Sequence, residues 1–345
     1  MKKNLLKYIV NPSVSISYAY KKMLKNKMRI IFICDEKFKI IGLVTDGDFR
    51  RAFWSNIDQD NSISSIGKKS NFFFLKSKNL IKKIKSIPSN INHAPIIKDG
   101  KLIDIIFDIN KKKLFRNKLD KFSVCILAGG YGKRLRPITN NIPKALVPFK
   151  GKIILELIIK KFKRYKLDKI YIALFHKKKM IKSFIKKKNI SKIKFIDENK
   201  STGTAGPLSK INFIKEKYPI VVTNCDTILN YSYNEIVKFH FEKQNQITIV
   251  GFLFEQNINY GVCEVTNKGE LKSLIEKPKI KHIANCGFYV ISPEILKYIK
   301  KNKFLDMDKF IKTIVKLKYK VGVYPVAKDS WTDIGTLANY KKLNK

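Results

Sequence analysis

Residues 28–53, MRIIFICDEKFKIIGLVTDGDFRRAF, place two apolar runs either side of a polar break at Asp35-Glu36-Lys37. The pattern predicts a strand, a turn, a second strand and a helix opening at Asp46 or Asp48, where a carboxylate accepts backbone N–H groups that the first helical turn leaves unpaired. About sixty residues on, 92–115, NHAPIIKDGKLIDIIFDINKKKLF, repeat the plan with the turn at Asp99-Gly100. A repeat of this length reads as two copies of one small α/β unit packed together. FRNKLDKF, 115–122, then reads as a linker.

From Ser123 the pattern changes to strands alternating with helices. SVCILAGG is a β-branched run ending in glycines, KIILELIIKKFKRY (152–165) has helical apolar spacing, LDKIYIALF (167–175) is a strand and MIKSFIKK (180–187) is helical again. IKFIDE (193–198), PLSKINFIKEKY (207–218) and PIVVTNCD (219–226) continue the alternation as strand, helix and strand. Alternation of this kind predicts an α/β fold, a doubly wound, mostly parallel sheet with helices on both faces. The domain limits are then 1–118 for the repeated unit and 121–345 for the larger one, whose site belongs at the carboxyl ends of its strands.

A length of 345 residues with 44% hydrophobic content can bury a sizeable core. No apolar run approaches the roughly 20 residues that span a bilayer, and the start lacks a cleavable leader, so a cytoplasmic chain without a membrane span is expected. The five cysteines are scattered without a CxxC pair, which points to reduced thiols and no metal cluster. The net charge of +45 is spread along the whole length beside an excess of Ile and Asn, as codon bias of an AT-rich genome produces. With no RNP-like strand, zinc-finger spacing or separate basic tail, nucleic acid is not the expected partner; an RNA-binding reading rests on charge alone. The charge still favours polyanionic small molecules such as nucleotides. His93, His176, His240 and His282 form no HxxH or HxxE arrangement.

ILAGGYGKRLRPITNNIPKALVPF, 126–149, carries the chemistry. Glycines after a first strand let the backbone wrap a base and phosphates and offer them N–H groups. Arg134 suits bidentate phosphate contact, Lys144 supplies a point charge, and Pro137 and Pro143 between them restrict the chain. The loop is neither GxxxxGK[ST] nor the dinucleotide-binding GxGxxG. It resembles the signature of sugar-1-phosphate nucleotidyltransferases, GGxGxRLxPxTxxxPKxLxP, matched at Gly129, Gly130, Gly132, Arg134, Leu135, Pro137, Thr139, Pro143, Lys144, Leu146 and Pro148.

That resemblance implies a reaction in which an NTP and a sugar 1-phosphate give an NDP-sugar and pyrophosphate. It implies a nucleotide held by Ala128, Gly129, Gly130, Gly132, Gly203 and Thr204, the last two in STGTAGPL, 201–208. Arg134, Lys144 and Asp226 become catalytic, and Asp226 with Asp333, in WTDIGT, become ligands of Mg²⁺; Asp329 is a nearby competitor. Where relatives commonly have Gly before the metal-binding Asp, this chain has Cys225, which adds bulk. YGVCEV, IEKP and NCGFYVIS are similar to the family's sugar-binding elements, so Gly261, Glu276, Asn285 and Gly287 would contact sugar hydroxyls and Lys277 the sugar phosphate.

The N-terminal repeats resemble CBS motifs, which often sense adenine nucleotides. TDGD then makes Thr45 and Asp48 the ligand contacts, whereas the second copy has Phe107 and Asn110 at the matching places, leaving one standard site at most. A helix cap or a dimerisation surface explains the same residues. A CBS pair joined to this catalytic domain resembles the guanylyltransferases that make GDP-glucosamine for surface glycans of the legionaminic acid type, which implies GTP, glucosamine 1-phosphate and a homo-oligomer. The alternatives are a mannose- or glucose-1-phosphate nucleotidyltransferase using another NTP, and a catalytically silent nucleotide-sensing regulatory subunit.

Overall fold

The computed structural model describes residues 5–26, 28–67, 75–76, 93–98, 101–107, 121–190 and 193–344. The chain divides into two compact units, Met1–Arg116 and Asn117–Lys345.

In the first unit β1 (Ile9–Val10) pairs parallel with β2 (Ile30–Cys34), which pairs antiparallel with β3 (Ile40–Thr45). The same plan recurs in β4 (Leu75–Lys76), β5 (His93–Lys98) and β6 (Lys101–Phe107), parallel and then antiparallel. The repeat read from the sequence is therefore a repeat of topology. Helices α1 (Ile16–Asn26) and α2 (Asp46–Trp54) accompany the first copy; the helix expected after β6, with Asn110, lies outside the described residues. Leu5, Tyr8, Phe32 and Leu102 share one core, so each half buries apolar surface of the other.

The second unit is built on a seven-stranded sheet. Its strands are β7 (Lys121–Leu127), β10 (Lys166–Leu174), β11 (Ile193–Asp197), β12 (Ile220–Asn224), β14 (Ile247–Asn257), β17 (Lys279–Ile291) and β18 (Val321–Val326). They lie in the order β11-β10-β7-β12-β17-β14-β18, and only β17 runs against its neighbours. Small two-stranded ladders pair β8 (Pro148–Phe149) with β9 (Lys152–Ile153), β13 (Thr227–Leu229) with β19 (Trp331–Asp333), and β15 (Val262–Val265) with β16 (Leu271–Ile275).

Strand side chains alternate between faces, and each parity has its own cover. Cys125, Ala173, Val222 and Tyr289 meet Phe310 and Ile314 of α6 (Met307–Lys316) in one core. On the opposite parity Phe288 stacks on Phe162 of α3 (Ile154–Phe162) and packs against Tyr233 of α5 (Tyr233–Glu242). Helix α4 (Lys178–Lys187) follows β10, and α7 (Leu337–Asn344) ends the chain.

Two expectations need correction. Residues 207–218 form no α-helix but two 3₁₀ turns, Gly206–Lys210 and Phe213–Lys215. Ile211 and Asn212 between them are extended, which leaves Ile211 buried in the sheet core rather than on a helical stripe. The expected linker also reaches too far, because Lys121 opens β7 and Phe122 is fully buried against Phe162.

Candidate active site at the carboxyl ends of the sheet

The glycine loop starts where β7 ends. The Ala128 N–H donates to Ala173 O at 2.9 Å, carrying the loop alongside β10. A Cβ on Gly129 would lie 3.2 Å from both N and Cβ of Phe175, whereas one on Gly130 would meet nothing within 4 Å. Gly129 is thus a packing glycine, and Gly130 lies open to a ligand. Gly132 has φ +69°, and a Cβ there would come within 2.9 Å of the Thr139 methyl. The Thr139 hydroxyl donates to Gly132 O at 2.8 Å and ties the loop to its return. Arg134 stands exposed on a turn anchored by buried Leu135, and Lys144 opens a second turn anchored by buried Ala145. Fixed turns therefore present both cations.

Beyond β12 the chain passes Cys225 to Asp226. The Cys225 N–H donates to Leu127 O at 3.2 Å, and burial, with the Asp226 charge, pushes its thiol up to about 12. It stays a neutral thiol inside the fold, which is where the extra bulk beside Asp226 is absorbed. Asp226 is itself buried and forms an ion pair with Lys144. The β13–β19 ladder sets Thr227 opposite Asp333, and Ile334 N–H donates to Asp226 O at 3.1 Å. Two carboxylates more than a hundred residues apart in sequence are so brought to one point. Gly335 marks that point: a Cβ there would overlap Asp226 Oδ2 and lie 2.7 Å from Asp333 Oδ1 and 3.2 Å from Lys144 Nζ. Asp329, the competitor, sits exposed on a turn, Lys328–Ser330.

Hard oxygen donors on a cradle that only glycine fits suit Mg²⁺, which takes one or two protein carboxylates and completes its shell with water and phosphate oxygens. Among the described residues no third Asp, Glu, His or Cys joins the pair.

The STGTAGPL segment is held largely by the protein itself. Gly203, at φ +84°, would place a Cβ 2.5 Å from Leu305 O. The Thr204 hydroxyl accepts from Met307 N–H at 2.7 Å and donates to Asp306 Oδ1 at 3.3 Å, so it caps α6. Sequence reasoning missed Glu198, a buried carboxylate whose Oε1 accepts from Thr202 N–H at 3.2 Å and from the Thr202 hydroxyl. Its Oε2 faces Gly129, 3.5 Å from where a Cβ would stand. Burial raises this carboxyl above the usual range, against the pull of the Thr202 contacts. Gly335 was missed as well, although WTDIGT carries it two residues after Asp333.

At the segments read as sugar-binding, β17 bulges: Val250 faces Phe288 and Gly251 faces Asn285, leaving Cys286 and Gly287 extra. A bulge re-aims a strand beside a site. Here it presses Gly287, at φ +68°, against Asn224, whose Nδ2 would lie 2.5 Å from a Cβ. Asn285 Oδ1 accepts from Gly287 N–H at 2.9 Å, and its Nδ2 donates to the Tyr289 hydroxyl at 2.7 Å. Gly261, Glu276 and Lys277 lie together at the base of the β15–β16 ladder, with Glu276 Oε2 2.9 Å from a Cβ on Gly261. Both side chains there are exposed, and their ion pair spans 3.9 Å.

In the N-terminal unit, the Thr45 N–H and hydroxyl both donate to Asp48 Oδ2, at 2.9 and 2.6 Å, and Arg51 pairs with Asp48 Oδ1. The structure gives these two residues the part of a helix cap at α2.

The family model described as Nucleotidyl transferase matches residues 123–345, and the one described as CBS domain matches residues 1–55. The mannose-1-phosphate guanylyltransferase catalytic subunit beta of Drosophila melanogaster is 33% identical over 178 residues, covering 50% of this chain and 48% of that one. Mannose-1-phosphate guanylyltransferase 1 of Arabidopsis thaliana is 30% identical over 228 residues, covering 62% of each. The chain therefore spans about half to three fifths of the length of these curated relatives. Among solved structures, HddC from Yersinia pseudotuberculosis superposes with a TM-score of 0.50 at 25% identity, covering 64% of this chain and 97% of that one. With its glycine loop, paired carboxylates and matched domain in register, the chain belongs to the nucleotidyl transferase family.

Proposed function

We propose that this chain transfers a guanylyl group from GTP to a sugar 1-phosphate, releasing pyrophosphate and a GDP-sugar. The observation that carries the reading is the convergence of Lys144, Asp226 and Asp333 on Gly335 at the carboxyl ends of the sheet. A phosphate oxygen of the sugar 1-phosphate attacks the α-phosphorus in line, one P–O bond forms, and the bond to the β-phosphate oxygen breaks. The attacking oxygen is already anionic near neutral pH, so no covalent enzyme intermediate or general base is needed.

Each side chain has a task in bringing anions together. The backbone around Gly130 seats the triphosphate, Arg134 and Lys144 offset its charge, and Lys277 meets the sugar phosphate. Asp226 and Asp333 would hold Mg²⁺, which when bound supplies Lewis-acid stabilisation of the phosphate oxygens. Glu198 supports guanine: a buried carboxylate oxygen facing Gly129 suits a base edge with adjacent N–H donors, which guanine presents at N1 and N2. Mannose 1-phosphate is the sugar phosphate in the relatives' names, whereas the CBS-plus-transferase architecture resembles enzymes of GDP-glucosamine synthesis.

The test is pyrophosphate release with Mg²⁺, each of GTP, ATP, UTP, CTP and dTTP, and mannose, glucosamine or glucose 1-phosphate, beside Asp226→Asn. Release with GTP alone, falling about 10³-fold in the variant, is expected. Turnover with another nucleotide overturns the guanylyl assignment, and silence with all of them moves the chain to a regulatory role.

A further inference from the structure

The candidate active site lies at the carboxyl ends of the sheet, and the opposite end holds a cavity of about 540 Å³, a size in the range of small-molecule sites. It opens where β12 and β14 begin and β17 ends, lined there by Pro219, Gln246 and Ser292. The five residues of β12, roughly 17 Å of strand, separate it from the corner that carries Asp226. Its walls are largely aromatic: Phe213 stands on a 3₁₀ turn, Tyr218 just before β12 and Phe241 near the end of α5.

Most of the buried polar groups on the lining are already paired. Glu216 Oε2 accepts from the Ser123 hydroxyl at 2.9 Å, and Oε1 from the Tyr171 hydroxyl at 2.5 Å and Lys169 Nζ at 2.7 Å. His240 meets the Thr248 hydroxyl at 2.9 Å through Nδ1 and the Ser292 hydroxyl at 3.0 Å through Nε2. Burial pushes its pKa down to about 4, so the ring stays neutral. Gln246 differs. Its N–H donates to Lys320 O at 2.7 Å and its carbonyl accepts from Ser292 N–H at 2.9 Å, which fixes the backbone, yet its side-chain Oε1 is buried without a hydrogen-bond partner. Among the described residues that line the cavity it is the one such side-chain atom. A buried acceptor left unpaired is costly until a donor reaches it.

These groups exclude most occupants. An anion would meet two glutamates, Glu216 and Glu294, and a single lysine, the exposed Lys217. An aliphatic molecule would leave Gln246 Oε1 unpaired. A flat heteroaromatic ring with an N–H donor satisfies both demands, because its faces pack on aromatic side chains while its edge donates to the amide oxygen.

We propose that this cavity is a second ligand site, which takes an amine-bearing nucleobase: the amine donates to Gln246 Oε1 and the ring packs against Phe213, Tyr218 and Phe241. A free nucleoside and a nucleotide both carry such a base; a phosphate on it would stay outside, toward Lys217.

The experiment uses the full chain and a photoactivatable azidoadenosine, which keeps the amine and cross-links where it binds. Mapping of the labelled peptides is expected to find the label within residues 213–219 or 240–246. Competition at that peptide then compares adenosine with purine riboside, the same nucleoside without the amine. Adenosine should compete about 5- to 10-fold better, the worth of one hydrogen bond to a buried acceptor, and Gln246→Leu should remove that advantage. Phe241→Ala, at an exposed position, should weaken both competitors about 5-fold or more through lost stacking, with circular dichroism confirming the fold of each variant. AMP as a third competitor separates the sources: tighter than adenosine identifies a nucleotide, weaker a free nucleoside. Label confined to other peptides, equal competition by the two nucleosides in the wild type, or an adenosine advantage that survives Gln246→Leu would each overturn the proposal. Labelling needs no turnover, so the outcome is independent of the reaction proposed above.

Discussion

At the end of the site proposed for the nucleotide, a Cβ on Gly129 would crowd Phe175, one on Gly132 the Thr139 methyl, one on Gly203 Leu305 O and one on Gly335 two carboxylates, each closer than ordinary van der Waals contact. At the end proposed for the sugar phosphate, a Cβ on Gly261 would meet the far ends of two exposed side chains, Glu276 Oε2 at 2.9 Å and Leu274 Cδ1 at 3.4 Å, and Lys277 reaches out from a hairpin base. The first end fixes groups that must be in place before the phosphates arrive, since displacing a reacting group by an ångström costs about 100-fold. The second presents long, exposed side chains to the sugar 1-phosphate, whose sugar ring takes no part in the bond exchange, so binding energy is more at stake there than alignment. Substitutions among the groups that meet the phosphates at the closed end should therefore strike turnover, one at the base-facing Glu198 should strike the KM for GTP, and those at the open end should strike sugar-phosphate KM.

Gly335→Ala gives the largest effect. The new Cβ overlaps Asp226 Oδ2 and crowds Asp333 Oδ1 and Lys144 Nζ, so at least one of the three must move. The expected result is a fall in kcat of about 10²-fold or more, with a stability loss of about 1–3 kcal/mol from overpacking. Steady-state pyrophosphate release beside a thermal melt measures both. Wild-type turnover would show that catalysis does not depend on the placement of these two carboxylates, and the contrast between the ends would fail.

Glu198→Gln sharpens the contrast within the closed end. The amide oxygen can still accept from Thr202, but the face toward Gly129 loses its charge. The KM for GTP should rise about 10- to 100-fold, the range for losing a charged partner to a base edge, with kcat little changed. The pH dependence has a defined sign. Because burial raises the folded-state pKa of this carboxyl, its ionised form weakens the fold above that pKa, and the weakening disappears as pH falls below the unfolded value. The neutral amide should therefore melt no lower than wild type at pH 8. In the wild type, the KM for GTP should rise on acidification at a pH above the ordinary glutamate range, and this rise should be missing from the variant.

Much of the closed end was legible because it is local in sequence: the glycines, Arg134 and Lys144 fall within sixteen consecutive residues, and the loop follows a strand that periodicity identifies. Asp226 was legible from its place at a strand end. The long-range partners were not read from spacing. Gly335 matters because β13 and β19 pair across about a hundred residues, and Glu198 matters because β11 delivers it beside Gly129. Neither pairing leaves a periodic trace. Thr204 carries a structural part that the sequence did not show: its hydroxyl caps a helix whose start lies a hundred residues away. Residues 207–218 misled because proline and lysine spacing imitates an amphipathic helix, while Ile211 is needed in the sheet core and breaks the segment into turns.

The smallest effect lies at the open end, where function and stability should separate. Lys277 sits at φ +44°, a left-handed conformation that costs a non-glycine residue about 1 kcal/mol or more, and it is followed by Pro278. On the function proposed above, this strained, exposed lysine is held for its charge rather than for the fold. Lys277→Gly removes the strain and the charge together. The melting temperature should stay level or rise slightly, while the sugar-phosphate KM rises about 10-fold, the worth of one solvent-accessible charged contact, and the KM for GTP stays within about twofold. Lys277→Arg keeps the charge and should restore most of the affinity without the gain in stability. If the glycine variant instead lowers kcat and leaves KM unchanged, Lys277 acts on the reacting phosphorus, and the open end aligns the chemistry as closely as the closed one does.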